Sequence, residues 1–592
     1  MRKKIFPAWI TLSILISIVL CATSVSCQII NVFATNTESN ENTKNIAEEK
    51  TTQEELEKDK IEHEEAAEEP PVKLLMDDSI PGWLKDIVEQ KIRRSPDFSK
   101  LVIVGSGDDF DISMKMGFAD KDSNLSWLLV PAVSFFKYCD DVSWADTREF
   151  WDGNNNSLKY IASEDTQPEL IITEDVFIAL EAVLGKCKND NIKITAEEDL
   201  LSSIEYSKCG FSIIPFDKIV PELKILNLDG MSVFDKDFNI LQYPLTLNIN
   251  IAGSDSGLVE KLKGDLKDTL ATNRDMEKLT TVIMTGVTAP AQGKTIGSRM
   301  NEYGAIYPAE KIADVLRSAD ITHISNEIPF VEGCSGERYL KTGDCVFCCK
   351  PEHIELLRYV GTDVVELTGN HMNDFGSEWM LYTLDMYDKE GWLYFGGGRN
   401  LEDSYKPALF DVNGNKIAFL GCNYFGPAHN WATEDTPGSA RINMWDGVQM
   451  EEDFQRVENI IKELKQKGYI VIFTFQYVET YNYFPTNQQV IDFRRIIDAG
   501  ADIVSGSQSH QPMGVEFREN GFITYGLGNL FFNQANELEK KQGIIAKHIF
   551  YDGRHISTIL ITTMLENLSQ PRISTAEERL ELLESIFGGS IR

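Results

Sequence analysis

The sequence predicts an α/β chain made of two successive α/β regions joined by a helix. Short apolar, β-branched runs such as Leu101-Val102-Ile103-Val104 and Thr281-Val282-Ile283-Met284-Thr285 alternate with longer helix-like stretches, the pattern of layered α/β folds. After residue 281 most of these runs end in Gly, Asn, Gln, His or Glu. Polar groups then fall at the C-terminal ends of strands, where α/β sheets hold ligands. The length, 592 residues, exceeds one ordinary core.

Taken in order, residues 1–34 open with Met1-Arg2-Lys3-Lys4 and turn apolar from Ile5 to about Ala34. A basic start before an apolar stretch reads as an export signal, long enough to span a bilayer if it is not cleaved. Cys27 follows Ser24-Val25-Ser26, which leaves a lipoprotein open as an alternative. Either way the rest is expected outside the cytoplasm, anchored at the membrane or cell surface. Residues 35–71 are rich in Glu, Lys, Thr and Asn and read as a disordered acidic tether, because they cannot bury enough apolar surface to offset ordering.

Residues 72–253 carry apolar runs at 101–104, 127–131, 170–172 and 211–216, with helical stretches at 143–151 and 174–185. Residues 254–280 read as an amphipathic connecting helix, with Leu258, Leu262, Leu266 and Leu270 at i, i+4 spacing. A second α/β region spans 281–566. The tail, 567–592, contains a short helix whose Leu580, Leu583 and Ile586 are expected to pack on it.

The formal net charge is −35, which argues against nucleic acid or anionic membrane surfaces as partners. A polyanionic ligand would need a local cationic site or a metal. Eight cysteines lie beyond the apolar start. Cys345-Val346-Phe347-Cys348-Cys349, with Cys334 upstream and His353 downstream, reads best as holding a disulfide in an oxidising compartment. Free thiols and a zinc knuckle stay open, although no second Cys-x-x-Cys pair completes zinc spacing.

Five strand-end motifs follow one another in the second region. They are Thr285-Gly286-Val287-Thr288; Ser325-Asn326-Glu327-Ile328-Pro329; Leu367-Thr368-Gly369-Asn370-His371 with Asp374; Gln476 at the end of an apolar run, continuing to Glu479 and Tyr481; and Gly506-Ser507-Gln508-Ser509-His510, followed by Tyr525-Gly526-Leu527-Gly528-Asn529. In this order they resemble the CapA-type capsule, or poly-gamma-glutamate, synthesis family, whose domain shares the calcineurin-like metallophosphoesterase fold. The resemblance implies an α/β sandwich of two sheets flanked by helices. More weakly, the stretch from Ile213 to Leu245 resembles one lobe of solute-binding proteins of the phosphate or molybdate sort; an unrelated α/β domain is the alternative.

In that metallophosphoesterase fold, carboxylates, histidines and one Asn clamp two ions so that a bridging hydroxide can attack phosphorus. By resemblance, Glu327 is the bridging carboxylate, Asn370 and His510 bind metal, and His371 is the acid. Gln476 and Gln508 stand at ligand positions, and Asn326, Asp374 and Asn529 are expected in the pocket. The chain departs from the family pattern at three places: Val287 replaces an Asp, and Gln476 and Gln508 replace histidines. Amides bind zinc, iron or manganese less well than imidazole, and a lost Asp removes a compensating charge. An intact dimetal centre is not expected. One divalent ion (magnesium, calcium or manganese) and no metal at all stay open.

Two function classes follow. One is a hydrolase or transferase acting on an anionic surface polymer beside capsule-synthesis machinery, with Glu327 or Glu479 as base and His371 as acid. The other is a non-catalytic module that binds polymer or a small ligand on a remade site. The residues alone leave enzyme or binder undecided. His323, His353, His429, His548 and His555 match no motif and read as structural or exposed. Tyr477, Tyr481, Tyr483 and Phe484 read as core or rim packing rather than a polymer groove.

Overall fold

The computed structural model describes residues 71–592, apart from 96–97, 99, 119–124, 163–165, 271, 337, 340–344, 520 and 535. The expected apolar start and nearly all of the acidic tether lie outside the described residues. No described helix is long and apolar enough to cross a membrane.

Residues 73–253 build a nine-stranded mixed sheet. Its longest strand, Ser126–Ser134, is buried at most positions, which suits its near-continuous apolar run. Thr246–Gly253 returns antiparallel between Ile112–Phe118 and Ser126–Ser134. On the other flank, Glu169–Thr173 runs parallel to both Gly210–Pro215 and Ile192–Thr195. The helices Gly82–Arg94, Glu174–Leu184 and Glu197–Tyr206 bury Leu84, Val88, Leu180 and Ile204 in the same core. The connecting helix forms over Ser256–Leu270 and buries Val259, Leu262 and Leu266.

From residue 279 onward two sheets face each other. The first orders Leu393–Phe395, Val364–Glu366, Ile321–Asn326, Leu279–Thr285, Gln542–Tyr551, Arg554–Glu566 and Gln570–Ile573. Its first four strands are parallel and the rest antiparallel. The second orders Ala408–Val412, Asn415–Asn423, Ile470–Gln476, Ile503–Ser507, Gly521–Thr524 and Val515–Arg518, with a parallel centre. Val282, Met284, Ile321 and Phe550 of the first sheet meet Phe419, Ile472, Ile503 and Phe522 of the second in one apolar layer.

The outer faces are covered by helices. Ile324, Val365 and Leu367 pack under Met380, Leu384 and Tyr387 of Ser377–Glu390. Phe473, Phe475 and Val504 pack under Phe454, Ile461 and Phe493 of the helices Gly447–Gln466 and Asn487–Asp498. The result is helix, sheet, sheet, helix, with the parallel strand tips gathered along one edge.

The N-terminal sheet docks beside this sandwich. Leu279, Ile549, Tyr551 and Ile556 join its core, and Phe135 packs against Phe517, Phe522 and Phe587. The tail helix forms over Ala576–Gly589, started by a Thr575–Glu578 capping box. Leu583 and Ile586 are buried as expected, together with Leu582 and Phe587, but Leu580 is 42% exposed. Burial begins only at Leu582, so the first half of the helix overhangs the sheet.

Candidate functional site

Most of the expected site residues stand at or beyond a parallel strand tip. Glu327 follows Ile321–Asn326, and Gln476 is the last residue of Ile470–Gln476. Gln508 and His510 follow Ile503–Ser507, and Asn370 and His371 lie on the loop after Val364–Glu366. Gly369 fixes that loop against Glu327: a Cβ there would sit 2.7 Å from Glu327 Cα and 2.6 Å from its Cγ. Gln508 and His510 adopt left-handed backbone, with φ of 77° and 54°. Such strain in non-glycine residues persists only where the surroundings enforce it, and it concentrates at functional sites.

Glu327, Asn370, His371, Glu479, Gln508 and His510 line one cavity of about 380 Å³. Gln476 ties its floor together. Its Nε2 donates to Asn370 Oδ1 at 3.0 Å and contacts Glu327 Oε1 and Gln508 Oε1. Three oxygens therefore converge on one point, although an amide carries only two protons. On its other side Gln476 Oε1 is buried without a partner.

His371 Nδ1 lies 2.7 Å from Asp374 Oδ2, leaving Nε2 for the cavity. Burial pulls His371 toward neutrality, but the Asp374 hydrogen bond and the charges of Asp374, Glu327 and Glu479 outweigh it and raise its pKa above the ordinary histidine value. Glu479 Oε1 lies 3.3 Å from His510 Nε2 and accepts from Gln534 Nε2 at 2.9 Å. Burial raises the Glu479 pKa, yet the hydrogen bond and charge of His510, with Tyr481 and Gln534, more than reverse that and hold it below the usual range. The cavity thus sets a protonatable imidazole opposite a carboxylate that stays ionised.

Three of the expected pocket residues stand behind this surface. Asn326 points away: its Nδ2 donates to Ile328 O and Tyr387 Oη, both at 2.8 Å, because the alternation of its strand turns it toward the outer helices. It is a structural residue rather than a pocket one. Asp374 orients His371 and also accepts from Phe347 N at 2.8 Å. Asn529 Oδ1 lies 2.9 Å from His510 Nδ1 and its Nδ2 donates to His510 O, which fixes that ring. Val287 is fully buried among apolar neighbours.

Several wall residues were not foreseen, Lys294 and Phe347 among them. Lys294 and Phe347 line the cavity, with Lys294 Nζ 5.2 Å from the Phe347 ring and that ring edge-on to His371 at 4.7 Å. Phe347 lies in the cysteine run, where Cys334 and Cys348 form a disulfide and Cys349 is a buried thiol. Among the other aromatics, Tyr477 is core and donates to Asp492, whereas Tyr481 and Phe484 are exposed. His323, His353, His548 and His555 are held by neighbours outside the cavity.

Among the described residues no three His, Cys, Asp or Glu side chains converge to hold an ion by themselves. The convergent oxygens of Glu327, Asn370 and Gln508 are nonetheless of the hard kind that magnesium, calcium or manganese takes. Rotating the Gln476 amide would bring its orphaned Oε1 in as a fourth. Donors of this kind would suit a single hard divalent ion. Both His510 nitrogens are engaged by Asn529 and Glu479, and Val287 has no donor to offer.

The family described as "Bacterial capsule synthesis protein PGA_cap" matches residues 276–534. This part of the chain is thus similar to the CapA-type capsule synthesis family. The chain is 25% identical over 307 residues to "Capsule biosynthesis protein CapA" of Bacillus anthracis, covering 52% of this chain and 72% of the relative. "PGA biosynthesis protein CapA" of Bacillus subtilis is 27% identical over 203 residues, covering 34% of this chain and 51% of that protein. Among solved structures, an ABC-type phosphate transport receptor from Vibrio cholerae aligns with 33% of this chain and 93% of its own, at 9% identity and a TM-score of 0.27. That score is too low to carry a conclusion.

Proposed function

We propose that the capsule-family domain acts on an anionic surface polymer of the poly-gamma-glutamate type, in its synthesis, release or export, by acid–base cleavage or transfer at an amide. The observation that carries this reading is the shared cavity, in which His371, held by Asp374, faces Glu327, Glu479 and His510. The names of the relatives support the polymer class.

In hydrolysis, Glu479 takes a proton from water as its oxygen bonds to the amide carbon. His371 Nε2 gives a proton to the departing nitrogen as the C–N bond breaks. A carboxyl group and an amine result, and solvent exchange returns the Glu479 proton and recharges His371. His510 steadies Glu479, Asp374 orients His371, and Lys294 offers a cation to an anionic chain. A single divalent ion on Glu327, Asn370, Gln476 and Gln508 would add charge stabilisation to the developing oxyanion. The apolar N-terminal stretch supports work outside the cytoplasm, at the membrane, alongside other capsule-synthesis proteins.

The second reading is a binding module, favoured by the Gln476 amide that closes the oxygen cluster. The test is turnover of a γ-glutamyl oligomer by the full chain, with and without manganese, beside metal analysis of the purified protein. Turnover that falls on the order of 100-fold in His371→Ala is expected for a general acid. Turnover untouched by His371→Ala removes the assigned chemistry, and saturable binding without turnover establishes the binding reading.

A further inference from the structure

A second cleft lies away from the strand tips, where the N-terminal sheet and the tail helix meet the first sheet of the sandwich. Its volume is about 370 Å³, ample for an amino-acid-sized ligand. Lys547 lines it from the strand Gln542–Tyr551, paired with Ile559 across the ladder. On the same face, Ile545 belongs to the core under the helices and Ile549 to the core under the N-terminal sheet. Lys547 stands in the gap between the two coverings.

The Lys547 side chain is only 9% exposed, and no described residue hydrogen-bonds or ion-pairs with its amine. Burial lowers its pKa, partly offset by the charges of Asp235 and Asp320. A buried amine without a partner is costly unless a counter-charge arrives. Asp235 lies exposed at the rim of the same cleft, and no described residue pairs with its carboxylate. At the other end Lys224 and Arg579 share one carboxylate, Asp140, at 3.3 and 2.7 Å. Three cations against two carboxylates leave one positive charge, in a chain whose net charge is −35.

We propose that this cleft binds an acidic α-amino acid through its zwitterionic end, with the α-carboxylate on Lys547, the α-ammonium toward Asp235 and the side-chain carboxylate toward Lys224 and Arg579. An acidic amino acid carries one net negative charge at neutral pH, which balances the lining. Ile225 and Ile559 supply apolar contact for its methylenes. The same pairing of ammonium and α-carboxylate occurs on a free amino acid and on the amino end of a γ-linked acidic chain. The inference stands on this cleft alone and does not depend on chemistry at the strand tips.

Isothermal titration of the full chain tests it, with free glutamate, N-acetylglutamate, and a γ-glutamyl tetramer with a free amino end. Glutamate is expected to bind, with acetylation and Lys547→Met each weakening it by about tenfold or more. Asp235→Asn, at an exposed position that does not threaten folding, should weaken glutamate but not N-acetylglutamate. Asn370→Ala, at the other site, should leave the glutamate isotherm unchanged. Tetramer binding that Lys547→Met weakens identifies a chain end as the ligand of this cleft; glutamate alone identifies the free amino acid. No glutamate binding below about 10 mM, equal binding of the acetylated form, or indifference to both Lys547→Met and Asp235→Asn overturns the proposal.

Discussion

Replacing Gln476 by Met keeps the side chain near its length and volume while removing the amide that faces Glu327 Oε1, Asn370 Oδ1 and Gln508 Oε1. An NH₂ group can satisfy two of these three oxygens fully. A hydrogen bond to a charged group is worth about 1.5–3 kcal/mol and a neutral one about 1 kcal/mol, so the loss is roughly 2.5–4 kcal/mol. Cavity water makes good only part of it, because Glu327, Asn370 and Gln508 are 2, 8 and 4% exposed. Without divalent ions, the thermal midpoint of Gln476→Met should fall by about 5 °C. Magnesium or manganese should then stabilise the variant more than the parent, since an ion takes the place of the donor; at 100 times its Kd it would return about 2.7 kcal/mol. Differential scanning calorimetry with and without the ion reads both effects. A midpoint within about 2 °C of the parent would show that the oxygens do not depend on the amide, and equal ion effects on both proteins would remove the case for a cation-shaped floor.

Asp374→Asn removes a charge and hydrogen bond that raise the His371 pKa. A raised imidazole pKa keeps the acid form up to higher pH, so activity falls as pH rises through it. The variant's falling limb should therefore move to lower pH, read from a pH–rate profile or an NMR titration of His371; an unmoved limb refutes the assignment. The same interaction stabilises the fold fully below the ordinary histidine pKa and is lost as pH rises through the raised value. Cys348→Ser opens a bridge spanning 14 positions, which should cost about 3 kcal/mol. By loosening Phe347 beside His371 it should also raise KM more than it lowers kcat, whereas unchanged KM would separate that wall from substrate binding.

Much of the sandwich was legible because its parallel strands are buried on both faces and read as largely apolar, β-branched runs, as in Ile470–Gln476 and Leu279–Thr285. Their polar tips then marked the site. The strand Thr246–Gly253 was harder to read: Asn248 and Asn250 hydrogen-bond each other along it, and its partners lie far away in sequence. Asn326 was misplaced because a motif gives neighbours in sequence, whereas strand alternation sends Asn326 and Glu327 to different layers. Lys294 lies on the loop after Val287–Thr288 and Phe347 just after the short strand Cys345–Val346, and only the fold carries their loops to the cavity. Leu580 shows the limit of helical periodicity, which names a face but not how much of the helix is covered.

The three departures from the metallophosphoesterase pattern make sense together. Val287 pairs with Ser325 on one side and Asn529 on the other, fully buried, so no carboxylate stands there to offset a second cation. Two imidazoles in place of Gln476 and Gln508 would add neutral donors but no negative charge. Gln476→His with Gln508→His should therefore raise manganese affinity while the stoichiometry stays at one ion per chain by equilibrium dialysis. Adding Val287→Asp supplies the missing charge, but in an apolar core that costs several kcal/mol unless an ion pairs with it. The triple variant should fold only with metal and then take up about two ions. A double variant that already binds two would show that charge is not what limits the site, and that the amides alone separate this cavity from a dimetal centre.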